Sequence, residues 1–193
     1  MKRSARITIH PEALQHNLQR ARQEAPNAKT FAVIKANAYG HGSVATAGIL
    51  YQHTDAFAVS CIPEAVVLRE AGIDKPINVL QGHQSSEDLH IAAQLKLRLT
   101  IHEERQLTLL DNYSGKHRFD INLKIDSGMH RLGFNPKLTQ TLFSKFKNHS
   151  LVNPDELILM THFSCADDLE NDYTKKQLAC FEESCKDIDA PKS

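Results

Sequence analysis

The chain has 193 residues, 41% hydrophobic and 24% charged, a globular mixture long enough to bury one sizeable core. Its 23 Lys and Arg balance 23 Asp and Glu, so no basic excess points to nucleic acid, and no apolar run is long enough for a membrane span. The start, "MKRSARITIHPEAL", carries charges without an apolar stretch behind them and does not read as a signal peptide. Cys61, Cys165, Cys180 and Cys185 show no CxxC spacing, so they read as reduced thiols of a cytoplasmic protein, with neither disulfide nor metal expected.

"HPEALQHNLQRARQ" predicts a first helix, with Pro11 near its start. "TFAVIK" (30–35) follows as a buried strand that ends on a lysine, Lys35, and runs into the polar loop "ANAYGHG". An ammonium group at the inner end of an apolar run is costly unless something neutralises or uses it. "AFAVS" (56–60), "INVL" (77–80), "LRLTI" (97–101), "FDINLKID" (119–126) and "LILMTHF" (157–163) read as further strands. Between them, "PEAVVLREAG" ends at Gly72 as a C′ residue, and "SSEDLHIAAQ" opens with a serine cap and two first-turn acids. "HEERQLTLLDNYSG" is expected to stop at Gly115, and "NPKLTQTLFSKFKNH" opens on an Asn-Pro signal. The last helix, in "DYTKKQLACFEESCKDI", is expected to place Leu178, Phe181, Cys185 and Ile188 on one buried face.

Strands alternating with helices imply an α/β fold with a parallel sheet, and no Gly/Ser/Pro-rich linker divides residues 1–193 into separate domains. No GxGxxG or GxxxxGK[ST] loop follows a strand, which counts against a dinucleotide site and excludes a P-loop. A full (β/α)8 barrel takes about 250 residues, so a barrel reading gives an incomplete one of six βα units. In "FDINLKID", Phe119, Ile121, Leu123 and Ile125 share one strand face, and Asp120, Asn122, Lys124 and Asp126 share the other. The apolar set would meet helices and the polar set the interior. Lys35, Lys124 and His162 then fall near the C-terminal ends of three strands, where such barrels hold active sites. The bland alternative is a set of ordinary strand-end residues beside solvent.

"AVIKANAYGHG" (32–42) resembles the cofactor-lysine motif of the bacterial alanine racemases. "LKIDSGMHRLGF" (123–134) and "MTHFSCAD" (160–167) are similar to that family's second and third signatures, in the same order, and "ITIHPEALQHNL" resembles its opening helix. The resemblance implies a TIM-like barrel that binds pyridoxal 5′-phosphate (PLP), an isomerase interconverting L-alanine and D-alanine for peptidoglycan, and a homodimer sharing its active sites. Residues 1–193 would then be the N-terminal PLP-binding part, without the C-terminal β-domain.

For individual residues, the resemblance implies that Lys35 is both the Schiff-base lysine and the base on one face of the substrate carbon. It implies that Tyr39 touches the cofactor phosphate and that His162 packs against the cofactor ring. Arg131 is implied near the cofactor oxygen and the substrate carboxylate, where a guanidinium fork suits a planar anion. Lys124 matches a lysine that several members carry as a carbamate, an anion able to hold Arg131; an unmodified lysine with a bound anion is the alternative. His41 is assigned only a loop hydrogen bond. The family's last barrel strands and its second catalytic base, a tyrosine delivered across the dimer, have no match here. These residues alone are therefore expected to racemise alanine at least roughly a hundredfold more slowly than an intact dimer. A broad-specificity amino-acid racemase or decarboxylase of the same fold, and a PLP-binding or structural piece without turnover, remain as other readings.

Overall fold

A computed structural model describes residues 7–193, so the charged start, residues 1–6, lies outside the described residues. Six strands are hydrogen-bonded in chain order, β1 (Phe31–Val33), β2 (Ala56–Val59), β3 (Ile77–Val79), β4 (Arg98–Ile101), β5 (Ile121–Lys124) and β6 (Ile158–Met160). Each falls inside a predicted run and is one to three residues shorter at an end, β6 losing Thr161 to Phe163. The chain divides into two compact units, one ending at Asn78 and the other beginning at Val79.

In the first unit, α1 (Pro11–Glu24) begins with Pro11 in its first turn, where the missing N–H is not needed. β1 and β2 pair in parallel, Phe31 opposite Ala56 and Val33 opposite Ala58. Between them lie a single helical turn, α2 (Lys35–Tyr39), and α3 (Ser43–Leu50). α4 (Ile62–Glu70) follows β2 and ends at Ala71, with Gly72 beyond it at φ 81°, the left-handed C′ expected. Ala47, Phe57, Val59, Ala65 and Leu68 are fully buried and make the core of this unit.

In the second unit, the Ser85 hydroxyl caps α5 (Ser86–Gln94) by accepting from the Asp88 N–H, while the Asp88 carboxylate accepts from the Gln84 N–H. α6 (Glu104–Asp111) stops at Asn112, short of Gly115, because the Asn112 side chain donates back to the Thr108 carbonyl and closes the last turn. The Asn135 side chain opens a short 3₁₀ turn, Pro136–Leu138, that leads into α7 (Thr139–Lys147). α8 (Tyr173–Ser184) buries Phe181, and Cys185 and Ile188 beyond it are buried too. Leu178 does not belong to this face: it is 42% exposed, and Gln177 takes the inward position beside it.

Parallel register sets Leu99 opposite Ile121, Thr100 opposite Asn122, and Lys124 opposite Met160. Phe119, Ile121, Leu123 and Ile125 are fully buried on one face, as alternation requires. Arg98, Thr100, Asn122 and Lys124 occupy the other and are also buried. The Arg98 charge is satisfied by Glu156, by Asp120 at 3.5 Å and by the Asn122 side chain at 3.3 Å. The tail residues extend this pattern: Lys192 bridges in parallel to Leu159, and the Leu159 N–H donates to Pro191.

Two histidines of the second unit meet Gln106 of α6. His83 is fully buried, and its Nε2 donates to the Gln106 carbonyl at 2.8 Å, which leaves Nδ1 without a hydrogen-bond partner among the described residues. His102 sits with its backbone N–H on the Gln106 side chain. Burial holds both imidazoles below their ordinary value, against the opposing pull of carbonyl hydrogen bonds from Gln106 and Gln81. A folded value below the unfolded one, about 6.5, gives stability that is complete above that pH and is lost as pH falls toward the folded value. Urea unfolding between pH 7 and pH 5 is expected to show falling stability. His83→Gln, which keeps the donor to Gln106, is expected to flatten that limb by about one proton of linkage; an unchanged slope would contradict it.

Candidate active site

Lys35 leaves the C-terminal end of β1, where Ile34 still donates to the Ala58 carbonyl at 2.9 Å. The chain then winds the wrong way. Ala36, Asn37 and Ala38 have φ of 49°, 53° and 53° with ψ of 49°, 46° and 47°, and Tyr39 follows at φ 53°, so α2 is a left-handed helical turn. L-residues pay about 1–2 kcal/mol each for this conformation, so four in succession represent about 4–8 kcal/mol. That is comparable with the whole stability of many domains, about 5–15 kcal/mol.

Local bonds offset the strain. Ala38 donates to Ile34 at 2.9 Å, Gly42 to Asn37 at 2.9 Å, and the Asn37 side chain accepts from the Ser43 N–H at 2.8 Å, where α3 begins. Gly40 and Gly42, at φ 90° and 89°, carry the turn back out, as glycine alone does cheaply. His41 Nδ1 lies 2.9 Å from the Ala38 carbonyl, the loop hydrogen bond expected of it. The Ala36 N–H is held from outside the turn, by the Glu64 carboxylate at 2.8 Å. Lys35 is half-buried and has no ion pair among the described residues, and Tyr39 is 61% exposed beside it.

The second unit holds the other named residues. Lys124 ends β5 and is only 8% exposed. Burial pushes its amine below the ordinary lysine value, the Arg131 charge pushes it further, and Asp126 opposes in part. Arg131 is exposed on the loop that follows, and its guanidinium has no hydrogen bond or ion pair among the described residues. Together with His102, Asp126 and His130 it walls an open depression of about 350 Å³.

That loop is closed at its base. Phe134 donates to the Lys124 carbonyl and Asp126 donates to Phe134, each at 2.9 Å. Asp126 Oδ1 accepts from the Gly128 and His130 N–H groups, each at 3.0 Å. Burial raises the Asp126 carboxyl, but these N–H donors and the His130 charge outweigh it and leave the group below its ordinary value. His162 is exposed, two residues past Met160, the register partner of Lys124. Its carbonyl accepts from Gln177 at 3.3 Å, and the Gln177 side chain also accepts from the Ser164 N–H at 2.9 Å. Tyr173, one turn earlier on α8, donates to the Gly128 carbonyl at 2.7 Å.

The model of the family described as "Alanine racemase, N-terminal domain" matches residues 9–192. The chain belongs to the alanine racemase family. An alanine racemase of Alteromonas mediterranea is 40% identical over all of this chain and 53% of its own length. A catabolic alanine racemase of Pseudomonas putida is 41% identical over 93% of this chain and 50% of its own. Among solved structures, the biosynthetic alanine racemase of Pseudomonas aeruginosa superposes with a TM-score of 0.88 at 36% identity, covering 94% of this chain and 50% of that one. The chain thus spans about half the length of the relatives it matches, and its fold is that of the N-terminal TIM-like barrel portion of alanine racemases.

Glu64, Tyr173 and Gln177 lie outside the three motifs that carry the resemblance. Asp126 lies in the second of them and reads there as one member of an alternating strand. The Arg131 loop offers a direct check on this geometry. Gly133 has φ 133°, and a Cβ there would lie 2.5 Å from the Asp126 nitrogen. Gly133→Ala is expected to cost about 2–3 kcal/mol in urea unfolding and to speed amide exchange at Gly128 and His130. Wild-type protection at those two amides would show that the loop is held in some other way.

Proposed function

We propose that this chain is the N-terminal, cofactor-binding part of a PLP-dependent alanine racemase, an isomerase of L- and D-alanine that works in the cytoplasm as a homodimer. The observation that carries the proposal is Lys35 at the end of a strand, without an acid partner among the described residues, on a turn of strained backbone. Strain of this kind concentrates at functional sites.

The donor chemistry fits PLP, which bears an aldehyde and several anionic oxygens. Lys35 supplies an amine to the aldehyde carbon, and Tyr39 supplies a hydroxyl beside it. In the second unit, Arg131 supplies a guanidinium for anionic oxygen and His162 a flat ring. Lys124 and Arg131 are two cations, and burial first, then the Arg131 charge, lowers the Lys124 amine. A lowered amine is more often neutral, the form that adds carbon dioxide to become a carbamate and release a proton. Such a carbamate would turn repulsion of Arg131 into attraction, and a bound anion would serve the same end. No helix is long and apolar enough to cross a membrane among the described residues.

When bound, PLP draws electron density from the substrate Cα, so that its proton becomes removable. Lys35 Nζ holds the cofactor in the resting protein and takes or returns the Cα proton on one face. Arg131 orients the substrate carboxylate. Borohydride treatment of the PLP-loaded protein, followed by peptide mapping, is expected to leave the cofactor mass on the Lys35 peptide and none there in Lys35→Ala. Equal labelling of that peptide in the variant would overturn the assignment.

A further inference from the structure

We propose that Glu64 is a positioning residue for Lys35: its carboxylate holds the peptide that joins Lys35 to Ala36 and keeps the left-handed turn wound. Glu64 stands in the first turn of α4 and spans two elements. Oε1 accepts from the Ala36 N–H at 2.8 Å, while Oε2 accepts from the Ser60 N–H at 2.8 Å and the Ser60 hydroxyl at 2.9 Å.

The two oxygens serve different needs. Oε2 closes the entry to α4, a role that any first-turn acid can fill at a helix start. Oε1 has no part in that helix. It reaches back to the amide that begins the strained turn, and a hydrogen bond to a charged acceptor is about twice as strong as a neutral one.

The consequence for Lys35 is geometric. The peptide plane held at Ala36 contains the Lys35 carbonyl, so fixing that N–H fixes ψ of Lys35 and the root of a long, flexible side chain. Without the anchor, the turn can relax toward the right-handed form that Ala36, Ala38 and Tyr39 prefer. The amine would then sweep a wider volume. Productive capture depends on holding reacting atoms in place.

The inference rests on Lys35 being the cofactor's anchor, and the test separates the two claims. Amide exchange at Ala36 and through residue 42 is measured without cofactor, and PLP capture by Lys35 is timed by borohydride quenching. In Glu64→Ala, exchange is expected to quicken and capture to slow, each by about tenfold, the factor that one hydrogen bond to a charged group carries. Glu64→Gln keeps the shape with a single acceptor oxygen, is expected to shift both in the same sense, and decides the matter if Glu64→Ala does not fold. Ser60→Ala removes a bond from Oε2 alone and is expected to leave both near wild type. Unchanged exchange and capture in the Glu64 variants would overturn the proposal. Equal losses in Ser60→Ala would also overturn it, by placing the effect in the α4 start. If the wild type captures no PLP on Lys35, the functional reading fails, while the exchange measurement still decides whether Glu64 holds the turn.

Discussion

Four successive L-residues in the left-handed region, Ala36 to Tyr39, are the constraint on which the first unit's site depends. Nothing in the side chains of "ANAY" favours that hand except Asn37, one of the few residues that tolerates it. The turn survives because its surroundings over-determine it: the glycines that follow, the start of α3 on the Asn37 amide, and the carboxylate of Glu64 on the Ala36 N–H. A right-handed turn would suit Ala36, Ala38 and Tyr39 at less intrinsic cost. The strain therefore points to a demand on where Lys35 is aimed rather than to a folding preference.

The second unit uses the same device at a different strand end. Asp126 gathers two N–H groups of its own loop, as Glu64 gathers the Ala36 and Ser60 amides. In each case the carboxylate is engaged by backbone N–H groups and one neighbouring side chain, Ser60 or His130, and a nearby cation, Lys35 or Arg131, has no ion pair among the described residues. Fixed loops with unpaired cations suit the recognition of an anionic ligand. The buried Arg98 is the counterexample: matched by Glu156 and Asp120, its charge serves the architecture. In α8, Tyr173 and Gln177 tie the Gly128 and Ser164 segments to one helix, so the loops bearing Arg131 and His162 share a support.

The sheet was legible because its signals are local. β-rich runs bounded by turn residues gave all six strands, and the Ser85 cap, the Asn135-Pro136 start and Gly72 behave as their chemistry requires. α3 bears no comparable mark, since Val44, Thr46, Gly48 and Ile49 are weak helix formers. Leu178 was misplaced because periodicity shows which residues are apolar, whereas tertiary contact decided that Gln177 would be buried to bind two backbone groups of one loop, at His162 and Ser164. Lys35, Tyr39, Lys124, Arg131 and His162 were given site roles by resemblance alone. The handedness of the turn and the hydrogen bonds of Glu64 and Asp126 were not legible: the first and the Asp126 bonds depend on loop dihedral angles, and the Glu64 bond to Ala36 joins residues far apart in sequence.

The most direct test of the account is the handedness of residues 36–39 in solution. A left-handed φ brings each amide proton close to the α-proton of its own residue, so nuclear Overhauser spectra of the isotope-labelled protein are expected to show strong intraresidue amide-to-α cross-peaks at Ala36, Asn37, Ala38 and Tyr39. Weak intraresidue peaks at all four, as a right-handed or extended backbone gives, would contradict it.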